Sequence, residues 1–403
     1  MPLTKLFSII PMTKTIIPNR LASIDAYRGF VMVLMMAEVF NLGSLSHAFP
    51  ESAFWKFLAF HHTHVEWIGC SLHDLIQPSF SFLVGVVLPY SLTNRLVQDK
   101  STSTIFRHAL WRSFVLIGLG IFLRSQFSTQ TYFTFQDTLT QIGLGYPFLF
   151  LLGLASQRIQ LVSFLIIFVG YWIAFVLYLP ESSDLSQTGV PQDWPHHLQG
   201  FATHWEKNQN PVWEFDRWFL NLFPQEEPFL FNPGGYGTLN FIPTLGTMIL
   251  GLLAGNLLKS NREPNSKIYT FIALGIGGIG IGIVLNYLGI CPNVKRIWTP
   301  TWVLFSGGWC FLLLTFFYLF IDVFQRHRWS FVLRVVGMNS IAAYFIAHTI
   351  DSYIANSLKI HLGQSYAKLF GDTYETLVQG SLILFFEWLI LYWMYNRKIF
   401  VKI

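Results

Sequence analysis

Ten times along the chain, a run of roughly 20 mostly apolar residues is bounded by polar or charged ones, about what a helix needs to cross a bilayer core. The runs are Phe30–Leu45, Leu72–Leu92, Ile105–Leu123, Leu139–Ala155, Leu161–Leu179, Leu239–Leu258, Ile268–Ile290, Thr301–Val323, Phe331–Ile350 and Leu377–Tyr395. In hydrocarbon each run must satisfy its own backbone amides, and a helix does so within one segment. The expected fold is therefore an all-α integral membrane protein with about ten transmembrane helices. Pro78 and Pro89 are expected to kink the second.

Composition closes the alternatives. Of 403 residues, 53% are hydrophobic and 12% charged, half the charge of an average soluble domain at roughly 25%. Such a chain cannot cover a soluble surface, and it is too apolar for disorder and lacks heptads. Cys70, Cys291 and Cys310 are odd in number and far apart, so neither a disulfide framework nor a cysteine metal site is indicated.

The net charge of +5 is a topology signal. With the N-terminus cytoplasmic, 18 of the 26 Lys and Arg fall in cytoplasmic segments and 8 outside, the expected bias. One missed or invented span would invert every later loop. Both termini are thus expected in the cytoplasm, and nucleic acid is not an expected partner. Residues 1–19 hold Pro2, Pro11 and Pro18 between short apolar stretches and read as a cytoplasmic tail, not a signal peptide. Residues 20–403 read as one transmembrane domain. Its longest polar segment, 181–237, is expected outside; its Trp, His and acidic residues suit either a sugar ligand or an outer lid.

Gly275-Ile-Gly277-Gly278-Ile-Gly280 has the letters of a dinucleotide fingerprint. It lies inside an apolar run with no preceding strand, so close helix packing through Gly278 and Gly282 is expected instead.

Three groups of residues carry possible chemistry. Asp25 and Arg28, at the cytoplasmic start of the first run, are three apart and able to pair. They also suit an anion site for a phosphorylated cytoplasmic donor. Beyond that run, His61, His62, His64, Glu66, His73 and Asp74 crowd into fourteen residues. Histidine titrates near neutrality and a carboxylate can orient it, so general-base chemistry is available there. The spacing matches no closed zinc pattern, and no metal is expected. Ser71-Leu-His-Asp74 also reads as a capping box. Finally, Glu38 and Glu387 lie within apolar runs, where a carboxyl must be paired or face a cavity. His348 and Asp351 are spaced for a second acid–base pair, with Asn339 on another face.

These residues resemble the heparan-α-glucosaminide N-acetyltransferase family and its bacterial relatives. Arg20-Leu-Ala-Ser-Ile-Asp25-Ala-Tyr-Arg28-Gly29-Phe30 is similar to the start of that family's first catalytic-domain helix. His64-Val-Glu-Trp67-Ile-Gly69, then Asp74-Leu-Ile-Gln-Pro78-Ser-Phe80-Ser-Phe-Leu-Val-Gly85, is similar to its His-x-x-Trp-x-Gly and Asp-Leu-x-x-Pro-x-Phe-x-Phe-x-x-Gly run. Further likenesses follow in family order around Gln141–Tyr146, Pro233–Pro243, Gly251–Gly255, Lys295–Trp302 and Gly337–Tyr344.

The resemblance implies acyl transfer across the membrane, from cytoplasmic acetyl-CoA as co-substrate to an amino sugar or other glycan on the far side. It puts the catalytic histidine at His64; the residues around it offer Asp74 or Glu66 to orient the ring, and Asp25 and Arg28 are the expected donor site. The family's asparagine at the outer end of the first helix falls near Glu38 and Asn41. Those two, with Trp67, Asn339 and His348, are the expected substrate-side residues. A multi-pass protein of a bacterial inner membrane follows, in contact with lipid, a homodimer being compatible. The competing reading is a proton-coupled secondary transporter with Glu38, Glu387 and His348 as relay, although no internal repeat is visible.

Overall fold

The computed structural model describes residues 21–97, 101–179 and 188–401. The expected tail, 1–19, and the first part of the long outer segment, 181–187, lie outside the described residues. The helices are α1 (Ala22–Met36), α2 (Leu42–Ala48), α3 (Ala53–His61), α4 (Ile76–Val97), α5 (Thr102–Arg124), α6 (Thr138–Leu154), α7 (Gln157–Leu177) and α8 (Pro211–Phe219). They continue as α9 (Phe241–Lys259), α10 (Pro264–Tyr287), α11 (Pro300–Phe317), α12 (Phe331–Gly337), α13 (Ser340–Thr349), α14 (Asp351–Leu362) and α15 (Glu375–Asn396). No strand forms among the described residues, only an antiparallel bridge between Ile68 and Val294.

Seven helical segments are long and apolar enough to cross a membrane, and two bent pairs raise that to nine. Residues Thr138–Leu154 form a shorter apolar helix. The two bends are where the sequence reads as unbroken. After α1 a 3-10 turn, Ala37–Phe40, leads to Asn41 in the left-handed region (φ 44°), and α2 departs at 48°. Between α12 and α13 the bend is 82°. There Asn339 donates Nδ2 to Ile399 O (2.8 Å) and accepts from Val401 N (3.1 Å), so its side chain ties the break to the end of the chain.

Pro78 and Pro89 both fall in the second span. Pro78 occupies the first turn of α4, where an N–H has no partner to lose, and His73–Arg95 runs on as one segment with Pro89 inside it. The capping box forms: Ser71 N donates to Asp74 Oδ2 (3.0 Å), and Asp74 N to Ser71 Oγ (3.3 Å).

Burial separates interior from periphery. The apolar windows of His73–Arg95, Thr238–Lys259 and Pro300–Val323 are 67%, 67% and 56% buried, whereas those of α7 and α10 are 22% buried. The outer helices therefore turn apolar side chains outward, as a lipid-facing ring does. Backbone meets backbone where glycine allows it. A Cβ on Gly251 would strike the Phe82 carbonyl, and one on Gly255 the Val86 carbonyl, so α4 and α9 cross in close contact. The glycines of α10 pack as expected: a Cβ on Gly278 would lie 2.8 Å from Leu304 O, and one on Gly282 2.9 Å from Phe305 Cβ. Gly251→Leu is expected to force α4 and α9 apart and to cost at least the roughly 1–3 kcal/mol of an overpacked core. Gly277→Ala meets open space and should hold or raise stability by up to about 1 kcal/mol. Thermal unfolding in detergent checks both.

Candidate active site

The histidine-rich loop is held from both ends. His62 N and Thr63 N close the end of α3 on Ala59 O (3.1 Å) and Phe60 O (3.4 Å). At the other end Ser71 caps the turn into α4. Between them Ile68 bridges Val294, and Gly69 N donates to Asn293 O (3.2 Å). Gly69 sits at φ 134°, a conformation open to glycine. This two-loop zipper brings residue 295 beside residues 64 and 74.

Asp74 is the hub. It is 1% exposed. Its Oδ2 accepts from Val65 N (3.2 Å), Ser71 N (3.0 Å) and Ser71 Oγ (3.1 Å). Its Oδ1 lies 2.9 Å from His64 Nδ1 and 3.1 Å from Lys295 Nζ, and that Nζ is also 2.9 Å from His64 Nδ1. With Nδ1 engaged by Asp74, the ring's Nε2 faces away from the carboxylate. The His64 side chain is 38% exposed, so the ring is supported from behind and reachable in front. Burial holds its pKa below the usual 6.5, and the Lys295 charge acts in the same direction against the pull of Asp74.

A second pair adjoins the first. His73, 4% exposed, lies with Nε2 2.5 Å from Glu38 Oε1 at the end of the 3-10 turn after α1. Its ring centroid is 4.6 Å from that of His64. Glu38, His64 and His73 bring one donor atom each within 4.8 Å, and the Glu38–His73 hydrogen bond already uses two of the three.

The other sequence candidates make contacts of their own. Glu66 turns outward to accept from Trp194 Nε1 (3.2 Å), with His196 Nε2 at 3.5 Å. Trp67, 1% exposed, donates Nε1 to Trp205 O (3.2 Å) and wedges the outer segment onto the loop. Asn41 forms the left-handed turn into α2. His348 donates Nδ1 to Tyr344 O (2.8 Å) and stacks on that ring; the helix breaks before Asp351, yet His348 stays within electrostatic reach of both Asp351 and Glu38. Asn339 is tied to the chain's end. Asp25 and Arg28 pair at 3.9 Å on α1, roughly 15 Å from Glu38 along the helix axis. Beside them Ser23 donates to Asp322, within a π-helical turn, Tyr318–Val323, that follows α11.

Much of the aromatic content of residues 188–237 is spent on packing. Trp205 is fully buried and lies 6.2 Å from Phe175, and Trp213 donates to Leu230 O. Asp216 accepts from Thr238 N (2.9 Å), and burial pushes its carboxyl up to about 6. Arg296 laces three loops together, donating to Val65 O (3.2 Å) and Gly234 O (3.0 Å) over the Tyr236 ring. These contacts make the named aromatics of residues 188–237 part of the packing.

With this geometry, the chain is 24% identical over 436 aligned positions to heparan-alpha-glucosaminide N-acetyltransferase of Mus musculus, covering 98% of this chain and 62% of that protein. The Homo sapiens protein of the same name is 24% identical over 429 positions, covering 96% and 60%. The chain is their relative. It spans about 60% of their length. No family model matches it.

Lys295 and His73 complete a site that sequence reasoning only half assembled. His73 was visible as one histidine among four. Lys295 stood 221 positions from Asp74, and its cue was its place at the head of the Lys295–Trp302 likeness, which said nothing of its partners.

Proposed function

We propose that the chain is an integral membrane acetyltransferase, moving an acetyl group from cytoplasmic acetyl-CoA to an amino-sugar or other glycan acceptor on the outer side. The observation that carries this reading is the His64–Asp74 pair at 2.9 Å, in a chain related over nearly its whole length to proteins named as acetyltransferases. Seven spans, two bent pairs and the Thr138–Leu154 helix support ten crossings. With the 18-to-8 basic asymmetry, they support cytoplasmic termini and an inner-membrane location.

In the proposed reaction the acceptor nitrogen or oxygen attacks the thioester carbonyl, and His64 Nε2 takes its proton. The acetyl carbon–sulfur bond breaks, and the proton passes to the departing CoA sulfur. The products are acetylated acceptor and free CoA. Asp74 holds Nδ1 and stabilises the transient imidazolium. Asp25 and Arg28, near the cytoplasmic start of α1, suit the donor's phosphates, its long arm then running along α1 toward the outer half.

The test uses proteoliposomes with labelled acetyl-CoA on one side and a panel of amino sugars and cell-wall fragments on the other. Label appearing in an acceptor across the membrane supports the reading; label in none defeats it. Arg28→Ala is expected to weaken CoA binding by calorimetry at least tenfold, as loss of a charge-assisted contact does. Unchanged affinity would remove the donor site from α1. Glu387, buried beside Asp351 inside the bundle, favours the second reading, a proton-coupled transporter. In that case solute uptake would depend on Glu387 and be indifferent to acetyl-CoA.

A further inference from the structure

Two groups compete for one nitrogen. Asp74 Oδ1 and Lys295 Nζ each lie 2.9 Å from His64 Nδ1, and they are 3.1 Å from each other. If Nδ1 carries a hydrogen, it donates to Asp74, and the ammonium must spend its own protons on the carboxylate. If Nδ1 is bare, Lys295 donates to it and the hydrogen sits on Nε2. Either way a neutral ring, one carboxylate and one ammonium balance. A second ring proton breaks the balance, placing two cations side by side against one anion. The ammonium cannot retreat into solvent, because Lys295 is 5% exposed and fixed by the Ile68–Val294 bridge one residue away.

We propose that Lys295 is a positioning residue for His64: it holds Asp74 and the imidazole in register and keeps the ring neutral at rest, so that a proton taken from the acceptor is returned promptly to the leaving sulfur. This rests on the acetyl-transfer reading for its purpose, but not for its electrostatics. The groups facing the ring are few. Asp74 and His73 come from its own loop and the head of α4, Glu38 from the 3-10 turn after α1, and Lys295 from the loop before α11. His62 lies behind His73, ring centroids 5.7 Å apart, and Glu66 faces Trp194. Lys295 is the cation in direct contact with Nδ1, so its removal leaves Asp74 free to favour the imidazolium.

Diethyl pyrocarbonate acylates only the neutral imidazole. The yield of modified His64 peptide against pH, read by mass spectrometry, therefore traces the protonation of that ring without reference to activity. In the wild type the midpoint is expected below 6.5. In Lys295→Met it should rise by about one pH unit, as expected when a like charge within 4–6 Å is removed. Lys295→Gln, which keeps a donor for Asp74, should shift it equally, and Lys295→Arg should leave it near the wild-type value. The acid limb of the transfer rate should move with it. A midpoint indifferent to both Lys295→Met and Lys295→Gln overturns the proposal, whatever those variants do to activity. A Lys295-dependent midpoint in a protein without acetyl transfer would instead defeat the proposed function and leave the pairing standing.

Discussion

His64→Ala is expected to lower acetyl transfer about 10²–10⁴-fold, the usual worth of a positioned general base, while acetyl-CoA binding by calorimetry stays intact. The separation follows from geometry. His64 sits on the loop before α4, with Asp74 behind Nδ1 and Nε2 turned away from it toward the proposed acceptor. The residues suited to the donor's phosphates lie near the other end of α1. Because His64 is 38% exposed at its side chain, truncation opens no void in a fully packed core, and folding should survive. The neighbouring histidines make poor controls in one respect: His61 Nδ1 accepts from Leu72 N (3.1 Å), so His61→Ala loosens the loop by roughly 1 kcal/mol. His361, exposed at the end of α14, is the better control and should leave activity unchanged. Full activity in His64→Ala with loss in His348→Ala would move the chemistry to α13 and defeat the assignment.

The features legible from sequence were those fixed by a few neighbouring residues. The capping box spans four positions and forms as its letters indicate, and the glycines of α10 announce their packing by spacing alone. Long apolar runs mark most of the spans, because the bilayer sets their length. What sequence hid is non-local. Between Phe30 and Leu45 the turn was signalled only by residue types, Asn41 and Gly43, which suit a left-handed turn but also occur within a span, so the apolar run around them read as unbroken. The bend at Asn339 depends on hydrogen bonds to Ile399 and Val401, some sixty positions away. The tryptophans of 188–237 could serve a sugar or a core, and only their burial distinguishes the two. Lys295 belongs to the same class. Its partners come from a loop more than two hundred residues earlier, and a bridge of one residue pair sets the register between them.

Asp74 carries two duties, and two substitutions should split them. Asp74→Ala removes the cap of the turn into α4 and the only carboxylate within hydrogen-bonding distance of Lys295 among the described residues. Leaving such an ammonium buried and unpaired costs on the order of 3–5 kcal/mol, and the lost cap adds about 1 kcal/mol. The two terms share one site and will not simply add. A large fall in thermal midpoint, or loss of folded protein, is the expected result. Asp74→Asn keeps an oxygen for Ser71 N and Val65 N, so the helix start should hold, although it too leaves the Lys295 ammonium without a carboxylate and shares that part of the stability loss. Its amide nitrogen then faces His64 and donates to Nδ1, forcing the ring hydrogen onto Nε2, the nitrogen that must accept the acceptor's proton. The same exchange in a Ser-His-Asp triad lowers kcat about 10⁴-fold through the wrong tautomer, and a loss of that order is expected here. Thermal unfolding and the labelled-acetyl assay read the two duties separately. If Asp74→Asn is folded and keeps more than a tenth of wild-type activity, Asp74 serves as a cap alone, and the orientation of His64 must come from elsewhere.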